Sequence, residues 1–137
     1  MRTTFNPVYK EKEILIKFRH RVIVPVYIPE KDHEGYFKES LEVLKISISS
    51  LLETISGRTC ITIVLNGWNE NVYHYLKGLF ERKKIDSLVL HQENKGKINS
   101  VLDVGRSCLE EFITITDADV YFHKGWESAV MDVFKNE

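Results

Sequence analysis

Little in this 137-residue sequence favours a charged partner: 19 basic and 20 acidic side chains leave a net charge of −1, and they are scattered, not blocked. Nucleic acid and anionic membrane surfaces call for a basic excess, so neither is expected as a partner. Cysteine is scarce. Cys60 and Cys108 lie far apart inside apolar patterns, with no CxxC spacing and no neighbouring histidine, which favours buried free thiols over a disulfide or a metal pair. No apolar run approaches the length of a membrane-spanning helix, and residues 1–7 lack the apolar stretch of a secretory signal, so a reducing, cytoplasmic setting is expected. The glycines follow neither GxxxxGK[ST] nor GxGxxG, which excludes a P-loop and a dinucleotide fingerprint. His20, His33, His74, His91 and His123 show no metal-ligand spacing and no evident Ser or Cys partner, and none is assigned a catalytic role.

What is present is enough apolar side chain, 43% of residues, to bury one core of ordinary domain size. Residues 1–20 read as a charged extension, with one alternation at Ile14-Leu15-Ile16 that suits a strand or a helical turn. The domain is expected over 21–137. Val22-Ile23-Val24 predicts a buried strand that stops at Pro25, because proline cannot donate to a ladder. After a loop with Pro29 and Gly35, Phe37, Leu41, Leu44, Ile48, Leu51, Leu52 and Ile55 fall at helical intervals closed by Gly57. Residues 60–65 form a β-branched run ending at Asn66-Gly67, and Val72, Tyr75, Leu76, Leu79 and Phe80 return to helical spacing. A third strand over 87–91 leads to a helix opened by Gly96, with Ile98, Val101, Leu102 and Gly105 on one face. A fourth strand over 112–116 ends at Asp117-Ala118-Asp119, and Trp126, Ala129, Val130, Val133 and Phe134 make a last helix. Strict alternation of apolar strands and helices predicts an α/β fold, a mainly parallel sheet with helices on both faces.

In such a sheet ligands bind beyond the carboxyl ends of the strands. The loops there carry Pro25-Val26-Tyr27 and Glu30, then Asn66 to Asn69, then Asn94-Lys95-Gly96-Lys97, then Asp117 and Asp119. Two carboxylates one residue apart at a strand end repel each other unless a positive charge lies between them. A hard divalent cation, Mg²⁺ or Mn²⁺, answers that need, and such ions are usually held by one or two carboxylates together with substrate phosphates. The other reading makes Asp117 a turn cap and leaves Asp119 solvated. Lys97 and the amides at its helix start suit phosphate or ribose oxygens, or equally a solvated helix start. Tyr27 and Trp68 suit stacking on a base, or packing as lids of the core.

Taken in order, these segments resemble the inverting family 2 glycosyltransferases of the GT-A fold. Val22-Ile23-Val24-Pro25-Val26-Tyr27 is similar to that family's first strand and base-binding loop. Asn94-Lys95-Gly96-Lys97 with Val101-Leu102 and Gly105 resembles its NxGKxxAL-type segment, and Ile115-Thr116-Asp117-Ala118-Asp119 its DxD strand. The resemblance implies a Rossmann-like half domain that binds a nucleoside diphosphate sugar. Pro25, Val26 and Tyr27 would line the base pocket with Glu30 nearby, Asn66 would touch the base, and Asn94, Gly96 and Lys97 would lie near the nucleotide. Asp117 would face the ribose or metal, and Asp119 would hold the cation.

Two departures stand out. The family's aspartate-rich turn after the second strand is replaced by Val64-Leu65-Asn66-Gly67-Trp68, and the chain closes at Glu137, ahead of the segments expected to carry the acceptor site and the catalytic base. The chain is therefore expected to be the donor-binding portion of a longer enzyme, with the general base unknown and the acceptor a glycan, lipid or protein. Apolar surface left uncovered there favours a homo-oligomer. Two other classes remain: a binding module without turnover, and an aspartyl-phosphate phosphatase, since Asp117-Ala118-Asp119-Val120 also resembles the DxDx[TV] loop of haloacid dehalogenases. In that second family the motif follows the first strand, whereas here it follows the fourth.

Overall fold

A computed structural model of the chain describes residues 19–30 and 36–135. The alternation at Ile14-Leu15-Ile16, His33, Gly35 and the side chain of Phe37 lie outside the described residues. The elements run β1 (His20–Val26), α1 (Tyr36–Thr54), β2 (Thr59–Asn66), α2 (Glu70–Glu81), β3 (Ser87–His91), α3 (Lys97–Gly105), β4 (Phe112–Ile115) and α4 (Trp126–Lys135). The four strands form one sheet in the order β3-β2-β1-β4, and every pairing is parallel. The α/β expectation holds. From β1, inside the sheet, the chain winds out through β2 to β3 and then returns to lay β4 on the other side of β1. The crevice between the carboxyl ends of β1 and β4 is thus the point at which the strand order reverses, where open sheets of this kind place their ligands.

β1 does not stop at Pro25: it runs on to Val26, with Pro25 opposite Val64 of β2. The Thr116 N–H donates to the Ile23 carbonyl at 3.1 Å, so Ile23 turns its backbone polar groups toward β4. By the alternation of a strand, Pro25 turns to the same side, beyond Ile23, the last β1 residue paired with β4. Its missing N–H therefore leaves no ladder bond unmade.

The core has two parts. On one face Val22, Val24 and Val26 of β1 and Ile61, Ile63 and Leu65 of β2 pack under Leu44, Ile48 and Leu51 of α1 and Val72, Leu76 and Leu79 of α2. On the other, Ile23 and Val64 meet Val101 and Val104 of α3. Each buried aliphatic side chain contributes about 1.5–3 kcal/mol.

Burial on both faces, expected of every strand, holds only for the two central ones. Edge strand β3 leaves Leu90 exposed and edge strand β4 leaves Ile113 and Ile115 exposed, because no further strand or helix covers them among the described residues. The helical faces shift as well. On α3 the buried residues are Ser100, Val101 and Val104, whereas Ile98 and Leu102 face outward. On α4 the buried residue is Glu127, and Val133 and Phe134 are exposed. On α2 Phe80 is exposed.

Candidate functional site

The exits of β2 and β3 are joined through two asparagines. Asn66, the last residue of β2, is buried. Its Nδ2 donates to Asn94 Oδ1 at 2.8 Å, and its Oδ1 accepts the Lys95 N–H at 2.8 Å. Asn94 Oδ1 accepts in addition the Gly96 N–H at 2.9 Å. These bonds shape the loop that opens α3, whose capping residue Gly96 has φ +81°, a conformation costly for any residue with a Cβ. Gly67, with φ +102°, lets the β2 loop pass under Tyr27: a Cβ there would stand 3.3 Å from the Tyr27 ring. Trp68 does not join this wall. Its ring lies 4.8 Å from that of Tyr73 on α2, which is packing of helix against loop.

These contacts bring Pro25, Val26, Tyr27, Asn66, Asn94, Gly96 and Lys97 around one cavity of about 230 Å³. Beside it lies a second, of about 490 Å³, bounded by Pro25, Tyr27, Glu39, Asp117 and Asp119 among others. Pro25 and Tyr27 belong to both. Tyr27, 55% exposed, is thus the aromatic partition between an amide-lined hollow and an acidic one. Glu30 stands apart, lining a different depression with Asn69, Glu70 and Asn71.

Across the partition runs an ion pair, Lys97 Nζ to Asp117 Oδ1. Lys95 turns instead to Asp103, at 3.9 Å. Among the described residues no three His, Cys, Asp or Glu side chains converge as a ready ligand set. The donor set at the DxD is two carboxylates with hard oxygens, which fits Mg²⁺ or Mn²⁺ arriving with phosphates and does not fit a cation held by protein alone.

Sequence patterns missed what holds the aspartates in place. The segment after Asp119 is fastened to α1 by three hydroxyls on successive turns. Ser47 Oγ donates to the Val120 carbonyl at 2.7 Å, Ser50 Oγ accepts the Phe122 N–H at 2.9 Å, and Thr54 Oγ1 accepts the Trp126 indole N–H at 2.9 Å. His20 ties down both flanks of the same loop. Its Nδ1 lies 2.6 Å from Glu127 Oε2 on α4 and its Nε2 lies 2.6 Å from Thr114 Oγ1 on β4. Since an ionised carboxylate only accepts, Nδ1 carries a proton. Glu127 also accepts from Thr59 Oγ1 and from the Ser56 N–H at 2.9 Å. Burial alone would raise the Glu127 carboxyl, but the hydrogen bonds from Thr59, His20 and Ser56 outweigh it and hold the group below the ordinary carboxylate range. The only hint in the sequence was the serine and threonine spacing on one side of the first helix.

A model of the family described as glycosyl transferase family 2 matches residues 35–137. No curated protein matches the chain. Among solved structures, S. aureus TarS 1–349 superposes with a TM-score of 0.67 at 15% identity, over 87% of this chain and 33% of that one. TarS 1–349 in complex with UDP-GlcNAc gives 0.64 at 17% identity, over 87% and 32%. The mannosyltransferase PcManGT from Pyrobaculum calidifontis, in complex with GDP-Man and Mn²⁺, gives 0.58 at 18% identity, over 82% and 34%. At such identities the likeness is one of fold, and the chain spans about a third of the length of these proteins.

Proposed function

The chain belongs to glycosyl transferase family 2, and on that premise we propose that the carboxyl end of its sheet binds a nucleoside diphosphate sugar as glycosyl donor, for inverting transfer to an acceptor hydroxyl. The observation that carries this is the pair of adjoining cavities: seven residues from the exits of three strands surround the smaller, the two aspartates border the larger, and Tyr27 divides them. An aromatic wall with nearby amides suits a base, and an acidic hollow beside a lysine suits a diphosphate with its cation.

In this reading Tyr27 stacks against the base, and the Pro25 and Val26 backbone forms the floor. Asn66 and Asn94 keep the loop in shape and position the amides at the start of α3. Asp117 and Asp119 would hold Mg²⁺ or Mn²⁺, which supplies Lewis-acid stabilisation of charge on the leaving diphosphate. Lys97 adds positive charge on the same side. Inversion asks that the acceptor attack from the face opposite the diphosphate, with a general base removing its proton; no residue described here is assigned that task. Glu30 is left out of the donor site, since it lines a separate depression. We place the start of the domain at His20, one residue before the boundary expected from the sequence, because His20 is a buried member of β1. The free thiols of Cys60 and Cys108 suit a reducing compartment, and we assign the cytoplasm. The phosphatase alternative is set aside because the DxD follows β4 in a chain of the transferase family.

Calorimetric titration with UDP, GDP and their sugars, with and without Mn²⁺, tests the reading. We expect one nucleotide to bind in a Mn²⁺-dependent manner, and Asp119→Ala to weaken it at least tenfold. Equal binding by parent and variant would remove the DxD from the site.

A further inference from the structure

We infer that Lys97 is an exchangeable counter-ion, holding Asp117 in the donor-free protein and passing to the donor's phosphates when the cation arrives; the inference rests on the donor-site reading above. The observation is the ion pair that crosses from one cavity to the other. Lys97, the first residue of α3, lines the smaller cavity; Asp117, just beyond β4, lines the larger. Its Nζ contacts Asp117 Oδ1, and the two side chains are 55% and 59% exposed.

An exposed pair of this kind adds little to folding, so stability does not account for it. Its chemistry does: two carboxylates one residue apart need a compensating charge. Among the described residues the cation paired with Asp117 is Lys97, whereas Lys95 is engaged with Asp103. The ammonium and a divalent cation compete for the same carboxylate, since both are positive and close approach of the two is repulsive. A diphosphate removes the conflict by offering the ammonium other anionic oxygens. Lys97 then opposes the cation when it comes alone and assists the cation and nucleotide together, which couples the two ligands positively.

One substitution therefore has opposite effects on two ligands. The 137-residue chain is titrated with Mn²⁺ alone, read by the electron paramagnetic resonance of the free ion, and with UDP or GDP plus Mn²⁺, read by calorimetry. Lys97→Met is expected to bind Mn²⁺ alone about three- to tenfold more tightly than the parent. The same variant should bind the nucleotide with Mn²⁺ about tenfold more weakly. Lys97→Arg, which keeps the charge, should retain the parent's weak affinity for Mn²⁺ alone. If the parent binds a nucleotide with Mn²⁺ but Lys97→Met binds Mn²⁺ no more tightly, the donor site stands and the exchange is overturned. If neither chain binds nucleotide or Mn²⁺, the donor-site reading falls and takes the exchange with it.

Discussion

Asn66 shows how much one buried side chain can settle. Both ends of its amide are used: Nδ2 donates to Asn94 and Oδ1 accepts from the Lys95 N–H. Replacing Nδ2 with an oxygen, as Asn66→Asp does, sets an acceptor against Asn94 Oδ1. Asn94 could answer by flipping its amide, but Gly96 N–H would then lose the acceptor it has at 2.9 Å. That N–H is exposed and water can take the acceptor's place, so the lost bond costs about 0.5–1.5 kcal/mol. We expect Asn66→Asp to lose that much in urea denaturation. Asn94→Ala should lose a similar amount, and the double variant less than the sum, since the two share one network. Strict additivity would mean that the amides do not act together. The sequence marked both asparagines as polar groups at strand ends, and that was correct. What the sequence does not show is the pair of bonds to the neighbouring loop, since side-chain partners 28 residues apart leave no trace in local pattern.

Hydrophobic periodicity locates a helix or strand, but it does not say what will cover the apolar stripe. The strand expected over 87–91 is β3, and the helix from Phe37 to Ile55 is α1 within a residue at each end. The buried faces follow tertiary partners more than spacing. Ile98, Leu102, Val133 and Phe134 obeyed the spacing and yet face outward, whereas Glu127 goes inward because His20, 107 residues earlier, is there to meet it. The same limit hid the hydroxyls of α1. Ser47, Ser50 and Thr54 break no helical pattern, and their partners lie in the segment beyond the DxD. Ser50 is the most exposed to test, because it alone holds a backbone N–H that has left the sheet. Ser50→Ala leaves the Phe122 N–H buried without its acceptor, and we expect a loss of about 1–3 kcal/mol by urea denaturation. Amide hydrogen exchange should quicken over residues 119–123 more than over α2. Uniform quickening across the chain would count against a local fastening.

Across the whole molecule, the two ends of the sheet are built from different chemistry. The carboxyl end carries exposed charges, Lys97 with Asp117, suited to exchanging partners. The amino end has, besides the exposed Arg19–Glu111 pair, two that are largely buried. Arg21 meets Glu110 through Nε at 3.0 Å and through its second nitrogen at 2.5 Å, and His20 meets Glu127. For Glu110, burial raises the carboxyl, but the Arg21 hydrogen bonds and charge prevail and lower it; Glu127 is lowered likewise. Nearby, burial pushes the Cys60 thiol up to about 12, so it stays protonated and does not compete for Arg21 at neutral pH. A carboxyl whose folded value lies below the unfolded one adds stability that is fully present above the unfolded value. That contribution is lost as pH falls through the folded value. With an ordinary value of 4.5 for both, urea-derived stability should hold from neutral pH down to the region of 4.5 and decline below it. Glu127→Gln should start lower at pH 7, by about 1–3 kcal/mol, because Gln leaves the buried His20 without its ionised partner. It should also decline less steeply in acid, and Glu110→Gln with Glu127→Gln should flatten the acid limb further. Since buried pairs are little screened by salt, the difference between parent and variant should persist in 0.5 M NaCl. Parallel acid limbs in parent and double variant would place the acid sensitivity in the exposed carboxylates instead, and the amino end of the sheet would then hold the fold by packing alone.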